Sequence, residues 1–192
     1  MEKIRCQWVT DDPVYTRYHD MEWGVEVHDD HLLFESLVLD GAQAGLSWLT
    51  ILRRRENYRL AFDHFDPLKI SRYTVDKIEY LMKDRGIIRN RKKIESAVQN
   101  AKTFLRVLNE FPSFDQYLWQ FVGGKPIINK WKKLDEIPAT SPQSHRMSRD
   151  LKKRGFSFVG PTICYAFMQA VGMVNDHTVD CFRYGELLKK KS

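Results

Sequence analysis

The sequence predicts an all-α fold, on three observations. Helix-start signals recur along the chain, each a Ser or Asp leading into a Pro or an apolar run. Residues 94–108 place apolar side chains at the 3.6-residue period of one helix face. Strand alternation is scarce, and "GGKPIIN", residues 123–129, is the one hairpin-like piece.

Taken in order, the elements follow from local chemistry. Asp12 is an N-cap with Pro13 at the first helical position of "PVYTRYHD". "HLLFESLVL" is a helix that runs into the glycines of "DGAQAGLSW". Ser47 caps the next helix, "WLTILRRRENYRLAF", and Asp66-Pro67 restarts another in the same way as Asp12-Pro13. Ile94, Ala97, Val98, Ala101, Phe104, Leu105 and Leu108 form the clearest amphipathic stripe. Ser113 and Ser141-Pro142 start further helices, and Gly155 and Gly172 stop them. No repeat, low-complexity segment or clean linker divides the chain.

The 192 residues suffice for one domain with a real core, or for two small lobes. With 43% hydrophobic and 29% charged residues, the composition is globular rather than disordered. No stretch approaches the ~18 apolar residues of a membrane span. The start "MEKIRCQWV" lacks a signal-peptide profile, so a soluble cytoplasmic protein is expected. Charge is uneven: residues 1–45 carry ten acidic and three basic side chains, the remainder 15 acidic and 28 basic. A basic face of that size suits a polyanion, and equally a solvated surface.

Three cysteines are too few, and odd in number, for a disulfide framework. Cys164 sits in the apolar run "TICYAFMQAV" and reads as a core thiol. His177 and Cys181 stand four apart in "NDHTVDC", a spacing that can hold one side of a metal. Cys6 and His19 are the best candidates for the other side. Two thiolates and two imidazoles suit one tetrahedral zinc, filled by protein and therefore structural. Six histidines and three cysteines also allow chance pairs. His28, His31, His64 and His145 have no comparable partner and are expected at the surface. P-loop, zinc-deaminase, dinucleotide-binding and Ser-His-Asp patterns are absent.

The acidic first quarter is rich in aromatics: Trp8, Tyr15, Tyr18 and Trp23, then Trp48. Tyr15 and Tyr18 share a helix face, and Asp40 and Trp48 flank a glycine-containing bend. A carboxylate among aromatic faces favours a flat cation. The plainer alternative is a core of aromatics with Asp40 as a helix cap. "VDKIEYLMKDRGIIRNRKKIESA" reads as helix, turn at Gly86, helix, with Lys83, Arg85, Arg89, Arg91, Lys92 and Lys93 around the turn. Such a hairpin offers backbone N–H groups to DNA phosphates.

The blocks "RCQWVTDDPVYTRYHDMEWGV", "GAQAGLSWLTILRRRENYRLAF", "DRGIIRNRKKI" and "KKRGFSFVGPTICYAFMQAVGMVNDH", with Cys181, closely resemble the DNA-3-methyladenine glycosylase I family. The similarity runs from about residue 4 to about residue 183. It implies a single helix-hairpin-helix glycosylase unit over 1–192, in two lobes: 1–65 with 160–192, carrying zinc and base pocket, and 66–159, carrying the hairpin. It implies one structural zinc on Cys6, His19, His177 and Cys181. Trp48 matches the aromatic that stacks on the flipped base and Tyr18 a pocket-wall tyrosine, with Trp8, Tyr15 and Trp23 in or behind the pocket. Gly45 and Leu46 match the tip that fills the gap left in the duplex. Gly86, Arg89, Lys152 and Lys153 fall to DNA phosphates. The implied activity is base-excision repair: a monomer hydrolysing the N-glycosidic bond of 3-methyladenine in double-stranded alkylated DNA, without a Schiff base.

One position departs. Where the family has a glutamate that hydrogen-bonds the methylated adenine, this chain has Asp40. The shorter side chain sets its oxygens back by about 1.5 Å. Two alternatives therefore stand beside the glycosylase: a non-catalytic protein that binds damaged DNA, and a glycosylase for a different alkylated base. Helix-hairpin-helix glycosylases usually carry an aspartate after the hairpin. The resembling family lacks it, and the nearest acid here, Asp115, reads as part of a helix start.

Overall fold

The computed structural model describes residues 3–189. It is mostly helical, as the capping signals predict. Helices α1 (Pro13–Met21), α2 (Asp30–Gln43) and α3 (Trp48–Leu52) begin at Asp12, Asp29 and Ser47, each with its side chain accepting from a first-turn N–H. The expected single helix over 48–62 is broken. After Leu52 the chain turns through Arg53 and Arg54, and α4 (Arg55–Ala61) begins without a side-chain cap. Asp66 caps the one-turn α5 (Pro67–Ile70). The hairpin region is α6 (Val75–Lys83) and α7 (Arg91–Val107), the second capped by Asn90. Ser113 caps α8 (Phe114–Trp119), and Ser141 opens α9 (Pro142–Arg154) with a capping box. Gly155 ends α9 in the left-handed region. The chain closes with α10 (Pro161–Ala170) and α11 (Phe182–Lys189).

"GGKPIIN" is not a hairpin. Its strand β1 (Ile127–Ile128) pairs in parallel with β2 (Val174–Asn175), a partner some 45 residues downstream that no local pattern could name. The core is built on α2, whose Leu33, Phe34 and Leu37 are fully buried. Helix α10 packs on α2 and α9, and α7 packs on α5 and α6. The stripe of α7 is buried through Phe104, while Leu108 at its end is exposed. A second cluster joins Cys6, Tyr18, Trp23, Leu52 and Cys181, and Trp8, Tyr15 and Trp48 pack against it. No helix among the described residues is long and apolar enough to cross a membrane.

Candidate active site

Helices α1, α2, α3 and α10 converge on a cavity of about 310 Å³, a volume suited to a small planar ligand. Trp8, Tyr15, Tyr18, Trp23, Asp40 and Trp48 all line it. Trp8 lies 4.9 Å from Tyr15 and 5.0 Å from Trp23 between ring centroids, and Tyr18 lies 5.5 Å from Trp48. These tilted and edge-on contacts fix the walls by aromatic packing.

Asp40 lies inside the last turn of α2 and not at its end, so it does not cap the helix. It is 2% exposed, and its Oδ2 has no hydrogen-bond partner among the described residues. Trp48 Nε1 is likewise buried and without a partner. Burial pushes the Asp40 carboxyl well above the usual carboxylate range. Burial, and then the nearby Asp40 charge, raises the Tyr18 phenol. Leaving a buried polar group unsatisfied costs about 1–3 kcal/mol. A ligand carrying a donor and positive charge relieves that cost at Asp40. No lysine lines this cavity. A second cavity, of about 410 Å³, shares Tyr18, Asp40, Trp48 and Ala170 with the first. The ion pairs Glu22–Arg55 and Glu35–Arg59 line it.

Behind the aromatic wall, Cys6, His19, His177 and Cys181 are all buried, with ligand atoms within 4.8 Å of one another. Cys6 Sγ is 3.4 Å from His177 Nδ1, and Cys181 Sγ is 3.4 Å from His19 Nε2 and 3.5 Å from His177 Nδ1. Sulfur and nitrogen ligands of one tetrahedral zinc stand about 3.5 Å apart. The outer ring nitrogens are engaged: His19 Nδ1 donates to Asp20 Oδ1 at 2.8 Å, and His177 Nε2 to the Trp23 carbonyl at 3.1 Å. Both tautomers then turn a lone pair toward the sulfurs. The donor set therefore fits zinc. Trp23 stacks edge-on against His177 at 4.6 Å, so the cluster and the cavity share a wall.

The residues assigned to DNA lie on the surface. Leu46 is 38% exposed, in the bend 44–47 between α2 and α3. Gly45 has φ +77, and a Cβ there would meet nothing within 4 Å. Gly86 is the close approach of the hairpin turn, where a Cβ would lie 3.0 Å from Asn57 Cβ. Arg89, Lys152 and Lys153 are exposed. Helix α9 meets α7 just beyond those lysines, through Arg106 Nη2 to the Arg154 carbonyl at 3.1 Å. Lys93 does not belong with the outward-facing basic residues: its Nζ donates to the carbonyls of Ala42 and Ala44, at 2.8 and 2.6 Å. Asp115 bonds His28 Nδ1 at 2.8 Å and does not line either cavity. His28 lies at the surface as expected, its side chain 53% exposed, and its ring stacks on Trp119 at 4.4 Å.

The profile of the methyladenine glycosylase family matches residues 8–184. The chain belongs to that family. It is 48% identical over 180 residues to DNA-3-methyladenine glycosylase 1 of Escherichia coli strain K12, covering 94% of this chain and 96% of the relative. It is 47% identical over 177 residues to the DNA-3-methyladenine glycosylase of Haemophilus influenzae, covering 92% and 96%. A crystal structure of 3-methyladenine DNA glycosylase I superposes with a TM-score of 0.92 at 49% identity, covering 93% of this chain and 98% of the other. The Staphylococcus aureus enzyme, solved to explain its recognition of 3-methyladenine, superposes with 0.90 at 38% identity, covering 93% and 95%.

The sequence reading missed the far wall of the cavity: Leu134, Ile137 and Pro138 from the connection before α9, and Gln169 of α10. It also missed what joins them. Asp176 is 1% exposed and accepts four hydrogen bonds, from Asn129, Trp131, Tyr165 and Gln169, at 2.6 to 2.8 Å. It anchors the start of the 129–138 segment and Gln169 to the residue next to His177. Its place in "NDH" was the one available signal.

Proposed function

We propose that the chain is a base-excision repair glycosylase that removes 3-methyladenine from alkylated double-stranded DNA. The observation that carries this reading is Asp40, a buried carboxyl whose Oδ2 has no partner among the described residues, in a cavity walled by Tyr18, Trp48 and Trp8. The lesion is a flat cation, and the purine becomes neutral as it leaves. Tyr18 and Trp48 hold the ring by stacking, and Asp40 accepts from its amino edge and offsets its charge. A neutral adenine meets the same cavity without the charge term, so Asp40 acts chiefly in selection. Water adds to the sugar C1′ as the C1′–N9 bond breaks; the bond's electron pair neutralises the purinium, and the added water gives up one proton to solvent, leaving the C1′ hydroxyl. No lysine is required, so the enzyme is monofunctional.

α6 and α7 form the helix-hairpin-helix in this reading, with Gly86 and Arg89, together with Lys152 and Lys153, on DNA phosphates. Leu46 and Gly45 fill the vacated stack. The DNA lies between a lobe of 1–65 with 160–192 and a lobe of 66–159, and one monomer suffices. Cys6, His19, His177 and Cys181 would hold one zinc, which would supply cross-linking only, joining the segment at Cys6 and His19 to the segment at His177 and Cys181 behind Trp23. The 410 Å³ cavity beyond Asp40 favours one second reading, a glycosylase that also takes a bulkier alkylated base. Asp40→Ala tests the assignment. Base release should fall by about 100-fold, the scale of a misplaced reacting group, while DNA affinity holds. Equal losses in release and DNA affinity would refute the role given to Asp40.

A further inference from the structure

Lys93 is the third residue of α7, in a first turn that holds Arg91 and Lys92 and no acid. A cation there faces the positive end of its own helix, an unfavourable place for it. Its stem instead crosses to α2. The ammonium donates to Ala42 O at 2.8 Å and to Ala44 O at 2.6 Å, across 51 and 49 residues of chain. These carbonyls belong to the C-terminal end of α2 and its cap, where the helix leaves acceptors unpaired and its dipole is negative. The bend they begin runs through Gly45 and Leu46 to Ser47, the cap of α3. Within it, Gln43 Nε2 donates to Leu46 O at 3.2 Å. Gly45 is in the left-handed region, where an added Cβ would meet nothing within 4 Å, and the turn itself is closed by Leu46 N donating to Gln43 O at 2.7 Å.

We propose that Lys93 is a positioning residue: it fastens the Leu46 tip to the hairpin, so that phosphate contacts on the hairpin set where the tip enters the duplex. The inference rests on the reading of Leu46 as the residue that fills the vacated stack. Lys93 touches neither the base nor the phosphates. It acts through the two carbonyls, which lie two and four residues beyond Asp40 in the chain.

The test uses the full chain with Lys93→Met, Lys93→Arg, Leu46→Ala and the Leu46→Ala/Lys93→Met pair. Single-turnover release of 3-methyladenine from methylated duplex DNA should fall about 10- to 100-fold in Lys93→Met. Binding of free 3-methyladenine, read by tryptophan fluorescence, should stay within about two-fold, because Lys93 itself does not line the cavity. Lys93→Arg, which donates to two carbonyls, should restore most of the rate. In the Leu46→Ala background, Lys93→Met should cost little more, since both act at one step. Release at the wild-type rate, full additivity with Leu46→Ala, or an equal loss of free-base binding would each overturn the proposal. Amide hydrogen exchange over residues 43–47 supplies an arm independent of activity. It should rise in Lys93→Met and return in Lys93→Arg, and unchanged exchange overturns the fastening itself. If the wild-type protein releases no base, the reading of the site fails, while the exchange arm still decides whether Lys93 holds the tip.

Discussion

Replacing Asp40 by Asn should stabilise the free protein at neutral pH while impairing its work. Asp40 is 2% exposed, one oxygen has no partner, and burial raises its carboxyl well above the usual range. In the unfolded chain the same carboxyl ionises near pH 3.9. As pH rises past that value the unfolded state sheds the proton and the folded state keeps it. The folded form thus binds more protons, and stability declines with pH until the folded carboxyl ionises. Below about pH 4 both states are protonated and the penalty disappears. Asn has nearly the same shape and no charge to bury. The relief is the cost of keeping a proton that the unfolded chain sheds, about 1.4 kcal/mol for each pH unit over which the two states differ. At about 2–4 °C per kcal/mol for a chain of this size, each such pH unit raises the melting temperature of the variant over the wild type by about 3–6 °C. Calorimetric melts of both proteins at pH 7.5 and pH 4 measure it. The gain should be present at pH 7.5 and nearly absent at pH 4. An equal shift at both pH values, or a lower melting temperature for the variant at pH 7.5, refutes the description of Asp40. Trading stability for a poised ligand group is common at binding sites.

Two further outcomes follow from the shared wall and the buried network. Elemental analysis of the purified protein should give one zinc per chain. Cys181→Ser should lose it, lower the melting temperature and weaken free 3-methyladenine binding, because Trp23 rests on His177. Asp176→Asn places an amide among four donors that need an acceptor. It should destabilise by about 1–3 kcal/mol and weaken free-base binding, with binding titrations and melts as the measurements.

What was legible in the sequence was local. Asp12-Pro13, Ser47, Asp66-Pro67, Ser113 and Ser141-Pro142 announce helices because each cap satisfies N–H groups two or three residues away. The aromatic side of the cavity was legible for a related reason: Tyr15 and Tyr18 lie one turn apart on α1, and Asp40 and Trp48 face each other across one bend. The far wall was not. Leu134, Ile137 and Pro138 reach the cavity because Asn129 and Trp131 bond Asp176, a choice made some 45 residues away. Ile127-Ile128 looked like half of a hairpin because its true partner, Val174-Asn175, is distant in sequence. Lys93 was grouped with the basic residues around the hairpin turn, since charge patterning reports which residues are basic and not which way they turn.

The most direct measurement is chromatography of the free bases that the purified protein releases from methylated duplex DNA at physiological salt. The account predicts 3-methyladenine well above its spontaneous rate of loss, and a fall to near that rate with Asp40→Ala. DNA that is bound but yields no base above the spontaneous rate would contradict it.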